Sequence, residues 1–357
     1  DKFFQAKKLC VKIKNKEYYP KVVNKQKTTY GYLLRIKMPV GLSSEDLIKS
    51  QVAINEMLCA RTGIYFDNGY TYIKVYISNL ESEYDFEQVK YKGLKLLFGY
   101  TMNGIEYIDL SKSSPHCLIA GETGSGKSTL VRSMLTNLIL NNDLSNLELH
   151  LIDLKRGVEF SIFKDCNMVK SFAKDIDGAT NTLQMAISEC ERRYDLFEEN
   201  ECVDIQEYNN LGKERLKRWL LVIDEFAEMT TDKENIDIIC RLAAISRACG
   251  IHLLLCTQRP DKDVVNGRIK ANITLVAGLK TKDSTNSRII IDESGLESLR
   301  GQGHGLLKAN GDTVEFQAMN LTPNEARRLV KPFKIKRTKA KTIIQKDIFE
   351  VFDYEAN

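Results

Sequence analysis

From Gly104 to about residue 280, apolar residues gather into short, nearly unbroken runs, and between the runs they recur every three or four positions. The runs at 116–120, 147–152, 219–223, 251–256 and 273–279 predict strands buried on both faces. The periodic stretches predict helices over 127–140, about 177–197 and about 235–249. Strands alternating with helices predict an α/β core, a doubly wound and mostly parallel sheet.

Ahead of Gly104 the rhythm differs. Tyr30, Tyr32, Leu34, Ile36 and Met38 alternate with other residues, as a half-buried strand requires, and Pro39 and Gly41 end it. Ser43 with Asp46 has capping-box spacing for a helix whose apolar face is Leu47, Ile48, Val52, Ile54 and Leu58. Residues 70–77 alternate again. These elements predict a smaller α/β domain over 1–103, preceding a core over 104–330. The first 25 residues are Lys-rich and read as a strand, a basic arm or a solvated face. Residues 331–357, basic and then acidic with aromatics, read as a tail.

The most informative chemistry is Gly121-Glu122-Thr123-Gly124-Ser125-Gly126-Lys127-Ser128-Thr129, set between a predicted strand and a predicted helix. The glycines let successive backbone N–H groups curl around phosphate oxygens, and the helix N-terminus adds partial positive charge. Lys127 is placed to reach the β and γ phosphates, and Ser128 to ligate Mg²⁺. Strand, loop and helix in this order predict a bound nucleoside triphosphate.

Downstream, the apolar run at 219–223 ends in Asp224 and Glu225. A buried strand delivering carboxylates to its end needs a cation to meet them. Asp224 reads as the Mg²⁺ partner and Glu225 as the group that orients or deprotonates the attacking water. Gln258, after the next strand, reads as a γ-phosphate sensor or as a polar strand cap. Arg247, at the end of a predicted helix, reads as a dipole partner or, between identical subunits, as an arginine finger.

Charge adds little: 52 Lys and Arg against 48 Asp and Glu leave only +4, too small by itself to mark a nucleic-acid partner. Nine scattered cysteines without a C-x-x-C pair, and only four histidines, argue against a disulfide framework or a structural zinc, and point to a reducing cytoplasm. No apolar run approaches the roughly 20 residues that cross a bilayer. The chain opens with Asp1, which leaves room for an upstream segment such as a membrane anchor.

Taken together, these pieces resemble the FtsK/SpoIIIE family over about 104–307. The resemblance is carried by the glycine loop, Ile152-Asp153-Leu154-Lys155, Glu191-Arg192-Arg193-Tyr194 and Val222-Ile223-Asp224-Glu225-Phe226-Ala227. It continues in Ser246-Arg247-Ala248-Cys249-Gly250-Ile251-His252, Thr257-Gln258-Arg259-Pro260 and Ser287-Arg288. The resemblance implies a hexameric ring of RecA-like P-loop NTPase domains around double-stranded DNA, driven by ATP with Mg²⁺. It makes Lys127, Glu225, Gln258 and Arg247 catalytic, the last in trans. It also brings Arg259, Lys270 and Arg288 to DNA phosphates, without sequence preference. Family members often carry a basic residue where this chain has Ser284, with Lys280 and Lys282 close by.

Nothing after Leu321 has the length or periodicity of the DNA-reading module that segregation motors append. The chain therefore resembles more the shorter, TcpA-type coupling ATPases of Gram-positive conjugative elements. That likeness implies a relaxase and a membrane channel as partners and a place at the cytoplasmic face of the membrane. A chromosome-segregation pump is the alternative. A type VII-like secretion ATPase is another, though such proteins carry several motor domains in tandem and this chain has one complete P-loop.

Overall fold

The computed structural model describes residues 2–28, 31–77, 80–112, 114–230, 232–262, 264–265, 267–309 and 311–335. The acidic stretch of the expected tail lies outside these residues. The chain begins with α1 (Lys2–Ala6) and a short hairpin, β1 (Val11–Ile13) and β2 (Lys16–Tyr18). Then come β3 (Lys21–Thr28), β4 (Gly31–Lys37), α2 (Ser44–Ile48), α3 (Gln51–Leu58), β5 (Arg61–Asp67) and β6 (Tyr70–Tyr76). The last four strands form an antiparallel sheet in the order β3-β4-β6-β5. The Lys-rich start is solvated: Lys7, Lys8, Lys12, Lys14, Lys16, Lys21 and Lys25 are all exposed.

One expectation here is corrected. Ser43 does cap a helix, its N–H donating to Asp46 Oδ2 at 2.8 Å, but the helix stops at Ile48 and a second begins at Gln51. A four-stranded sheet offers room for one row of side chains. Leu47 and Ile54, two turns apart, fill it with Ile36, Ile73 and Val75, while Ile48, Val52 and Leu58 remain exposed.

The second sheet has ten strands. Its elements are β7 (Lys95–Thr101), β8 (Gly104–Asp109), β9 (Cys117–Ala120), α4 (Lys127–Asn141), β10 (Leu147–Ile152), β11 (Val169–Ala173), α5 (Ile176–Glu199), α6 (Ile205–Asn210), β12 (Arg218–Ile223), α7 (Lys233–Cys249) and β13 (Ile251–Thr257). There follow α8 (Gly267–Asn272), β14 (Leu275–Leu279), α9 (Ser284–Ile291), β15 (His304–Ala309), β16 (Asp312–Gln317) and α10 (Pro323–Val330). The order is β11-β10-β12-β13-β9-β14-β15-β16-β7-β8, parallel from β11 to β14 and antiparallel beyond. The parallel part is the α/β core the pattern predicts. The hairpin β7–β8, whose turn contains the expected boundary at 103/104, belongs to this large sheet.

Side chains alternate across the parallel strands. Ile119, Leu149, Leu151, Val222 and Leu254 face α4, while Leu118, Ile152, Ile223, Leu253 and Leu255 face α5 and α7. Both faces are covered, so the strands read as unbroken apolar runs. All carboxyl ends of the parallel strands lie on one edge of the sheet, and all amino ends on the other.

Three buried histidines sit on or beside these strands. His116 Nδ1 accepts the Leu253 N–H at 3.0 Å, His252 Nδ1 lies 2.9 Å from the Pro115 carbonyl, and His150 Nδ1 lies 2.9 Å from Ser171 Oγ. Burial pushes His116 and His150 down to about 4 and His252 down to about 3. Each folded value lies below the unfolded one, so on acidification the unfolded chain takes up protons first and stability falls. Urea unfolding should lose about 3–4 kcal/mol between pH 6 and pH 5, close to one proton per histidine. A flat profile from pH 7 to pH 5 would contradict this account.

Candidate functional site

The glycine loop leaves the carboxyl end of β9 and enters α4. Its first residues are held by both neighbouring strands: Gly121 N–H donates to the Thr257 carbonyl at 3.2 Å, and Glu122 N–H to the Lys280 carbonyl at 3.0 Å. Gly126 precedes the helix with φ of 99°, a left-handed conformation that suits glycine. A side-chain carbon there would fall 2.1 Å from Gly303 N, whose N–H donates to the Ser125 carbonyl at 2.7 Å. The segment before β15 therefore props the loop from outside. Sequence reasoning missed this support, although Gly301-Gln302-Gly303 was its visible signal.

Lys127 is 3% exposed, and its Nζ lies 2.5 Å from Asp224 Oδ1 and 2.9 Å from the Asp224 carbonyl. Burial alone would lower Lys127; neighbouring Cys256, Asp224 and Glu225 outweigh it, and the ammonium is held above its usual range. Asp224 Oδ2 is buried without a hydrogen-bond partner among the described residues, with Lys155 Nζ 3.8 Å away. Glu225 turns the other way. It accepts Thr257 Oγ1 at 2.7 Å and the Gln258 N–H at 3.1 Å, with Lys155 Nζ at 3.5 Å. Thr123 Oγ1 donates to Gln258 Oε1 at 2.9 Å, so the glycine loop and the end of β13 are joined directly.

Two further groups were not anticipated in these roles. Ser128 Oγ donates to Glu159 Oε1 at 2.9 Å, and Glu159 lies in the turn after β10 that Asp153 organises by accepting the Phe160 N–H at 2.9 Å. Lys155, in a stretch noted only for its family likeness, bridges both acids. The cleft over the loop encloses 530 Å³, ample for a small ligand, and extends from Lys127 and Ser128 to Glu83, Gln317 and Asn320. Its far wall is closed by Asn320 Nδ2 donating to Glu83 Oε1 at 2.6 Å.

The predicted residues thus divide. Thr123, Lys127, Ser128, Asp224, Glu225 and Gln258 converge on one edge of the sheet. Arg247 lies on the opposite edge, at the end of α7, where it donates to the Lys112 carbonyl at 2.8 Å. Seven residues of β13 separate the two edges, about 20 Å. Arg259 is exposed beside Glu228 at 3.2 Å. Lys270 contacts Asp292 at 2.6 Å, and with Arg288 and Lys262 it lines a shallow groove of 340 Å³. Among the described residues no cluster of three or more His, Cys, Asp or Glu could hold a metal by itself.

The model of the FtsK/SpoIIIE family matches residues 81–262. The DNA translocase FtsK of Campylobacter jejuni is 40% identical over 225 residues, 61% of this chain and 24% of that protein. The DNA translocase SftA of Bacillus subtilis is 39% identical over 233 residues, 62% of this chain and 24% of that protein. The chain thus spans about a quarter of the length of these curated relatives. Among solved structures, the pCW3 conjugation coupling protein TcpA, in a monomer form with ATPγS, superposes with a TM-score of 0.65 at 26% identity, covering 89% of this chain and 94% of that one. The cytoplasmic domain of the type VII secretion ATPase EccC of Thermomonospora curvata shares the fold, with a TM-score of 0.62 at 21% identity over 72% of this chain and 33% of that one.

The loop geometry predicts unequal costs for two glycine substitutions. Gly126→Ala meets backbone at 2.1 Å and should cost about 2–4 kcal/mol in denaturant unfolding. Gly124, with φ of 81° but open space around it, should cost about 1 kcal/mol on the same change. Equal losses would show that Gly303 does not press on the loop.

Proposed function

The chain belongs to the FtsK/SpoIIIE family, and from that premise we propose that it is an ATP-hydrolysing subunit of a ring motor that moves double-stranded DNA. The observation that carries this reading is the convergence on one edge of the sheet of Lys127, Ser128 and Gln258, which line the cleft, with Asp224 and Glu225, which bond to Lys127 and Gln258 directly behind it. Backbone N–H groups of Gly124, Gly126 and Lys127 would cradle the phosphates. Lys127 would exchange Asp224 for the β and γ phosphate oxygens. Ser128 and Asp224, the latter with an unpartnered oxygen, suit Mg²⁺, which would neutralise phosphate charge and pull on the leaving oxygen. Glu225 would accept the proton of the attacking water, and Gln258, its backbone N–H on Glu225 and its side chain on Thr123, would report the γ-phosphate to the segment after β13.

Arg247 lies about 20 Å from the cleft of its own chain, so it would serve the cleft of a neighbour. A head-to-tail contact of that kind is what a hexameric ring repeats. Lys270 and Arg288, in one groove with Lys262, would grip DNA phosphates; Arg259 would meet the strand from a separate position. Such contacts give hold without sequence preference. The extended likeness to TcpA favours a coupling role in conjugation, with a relaxase and a channel as partners and the cytoplasmic membrane face as its place. No helix among the described residues is long and apolar enough to cross a membrane.

Steady-state ATPase with and without long duplex DNA tests the reading. Duplex should stimulate turnover several-fold, with the stimulation falling steeply with salt. Lys127→Ala and Glu225→Gln should each lose at least 100-fold, and Arg247→Ala about 1,000-fold. Mixing Lys127→Ala with Arg247→Ala subunits should restore part of the activity, since each supplies what the other lacks. Turnover indifferent to DNA, or no recovery on mixing, would sink the motor reading.

A further inference from the structure

We propose that the chain carries a second anion-binding pocket, remote from the nucleotide cleft, and that its occupant is the acidic segment at residues 347–357 of the chain's own tail. The pocket encloses 500 Å³ at the amino edge of the large sheet, between the segment before β7, the turn after α4, α6 and the start of β12. Lys92, Arg215 and Arg218 line it, together with carboxamides such as Asn142, Asn146 and Gln206, and no carboxylate does. Arg215 donates to Asn146 Oδ1 at 2.9 Å, which keeps its guanidinium at the rim. Arg218 makes no ion pair within 4 Å among the described residues, and burial lowers it from its usual range. Asp109 and Asp204 act on it only from beyond ion-pair distance and do not offset that burial, and a partly buried guanidinium without a direct partner gains from a carboxylate more than an exposed one does.

Position and charge select the occupant. The described chain ends at Ile335, whose N–H donates to the Asp165 carbonyl at 3.0 Å. Phe333, just before it, shares a cavity of 410 Å³ with Asn142 and Asp143. Asn142 also lines the basic pocket, so a single turn of chain separates the exit point from that pocket. Residues 336–346, eleven in number, span at most about 36 Å when extended, enough to bring Asp347 past that turn. From Asp347 onward the sequence holds Asp347, Glu350, Asp353 and Glu355 and no Lys or Arg. An acidic segment is tethered beside a pocket whose polar lining consists of cations and amides.

Docking there has a consequence for the opposite function of this edge. Arg218 Nη1 lies 3.4 Å from where a side-chain carbon at Gly250 would sit, and Gly250 caps the helix that carries Arg247 in its last turn. A docked tail sits beside the edge that a neighbour must approach. That consequence rests on the ring reading above; the docking itself does not.

Carbodiimide cross-linking of the full chain, read by mass spectrometry, tests the docking. Amide bonds from Lys92 to Asp347, Glu350, Asp353 or Glu355 should exceed those to exposed lysines such as Lys174 at least fivefold. Arg215→Glu, a change at an exposed position, should lower the Lys92 product at least fivefold, and added peptide of residues 345–357 should compete it away. Lys92 reacting no more than Lys174, or a yield unmoved by Arg215→Glu, overturns the proposal. So does protection of Lys92 from acetylation by duplex DNA that is equally strong with and without the tail acids changed to Asn and Gln, which would assign the pocket to nucleic acid.

Discussion

The contact on which the rest depends is the buried pair of Lys127 and Asp224, 2.5 Å apart and both almost wholly out of water. Each ion alone would cost several kcal/mol to bury, and neither is tolerable without the other. The sheet exists in a form that makes the pair possible. Asp224 is pinned at the end of β12 by its N–H on the Ile152 carbonyl, and Lys127 opens α4 immediately after the left-handed Gly126. The next residue, Glu225, faces the other way and is satisfied by Thr257 and Gln258 of β13. Two adjacent acids thereby acquire different partners and different chemistry: one sits against the helix N-terminus, the other against the neighbouring strand.

The legible part of the fold was the part whose signal is local. The parallel strands are buried on both faces, and the runs predicted at 147–152 and 251–256 match β10 and β13 almost to the residue. The antiparallel extension was not legible. β16 pairs with β7 across some 200 residues of chain, and β15 joins that strand to the parallel core, a relation no window of sequence carries. Gly305 in β15 lets Phe316 pack where a side-chain carbon would come within 2.4 Å of its ring, so the strand looks too weak to be one. In the small domain, the periodic row of five apolar residues suggested one helix because periodicity cannot count how much sheet is available to cover.

The cleft divides on the same principle. The glycine loop, Asp224, Glu225 and Gln258 announced themselves because each ends a recognisable strand or opens a recognisable helix. Glu159 sits in an irregular turn whose shape comes from Asp153, and nothing in its neighbourhood marks it as near Ser128. Glu83 and Asn320 reach the cleft from the segment joining the two sheets and from the segment between β16 and α10, where Phe86 N–H donates to the Asn320 carbonyl at 3.0 Å. Long-range closure of that kind is written in the topology rather than in any motif.

That closure also couples the loop to the small domain. Gly303 touches the glycine loop on one side, and the residue after it, His304, meets Glu315 at 2.6 Å. Glu315 is in turn paired with Arg61, on β5 of the small sheet. Because Gly126 leaves no slack against Gly303, the loop cannot shift around a ligand without moving the start of β15. β15 is hydrogen-bonded to β14 on one side and β16 on the other, so the shift is resisted everywhere except at the turn of residues 301–303. The route from the phosphate-sized end of the cleft to Arg61 is therefore short and stiff. It runs through Ser125, Gly303, His304 and Glu315, four residues joined by backbone or by one hydrogen bond each, and so ties the glycine loop to β5 alongside the direct entry of the loop into α4.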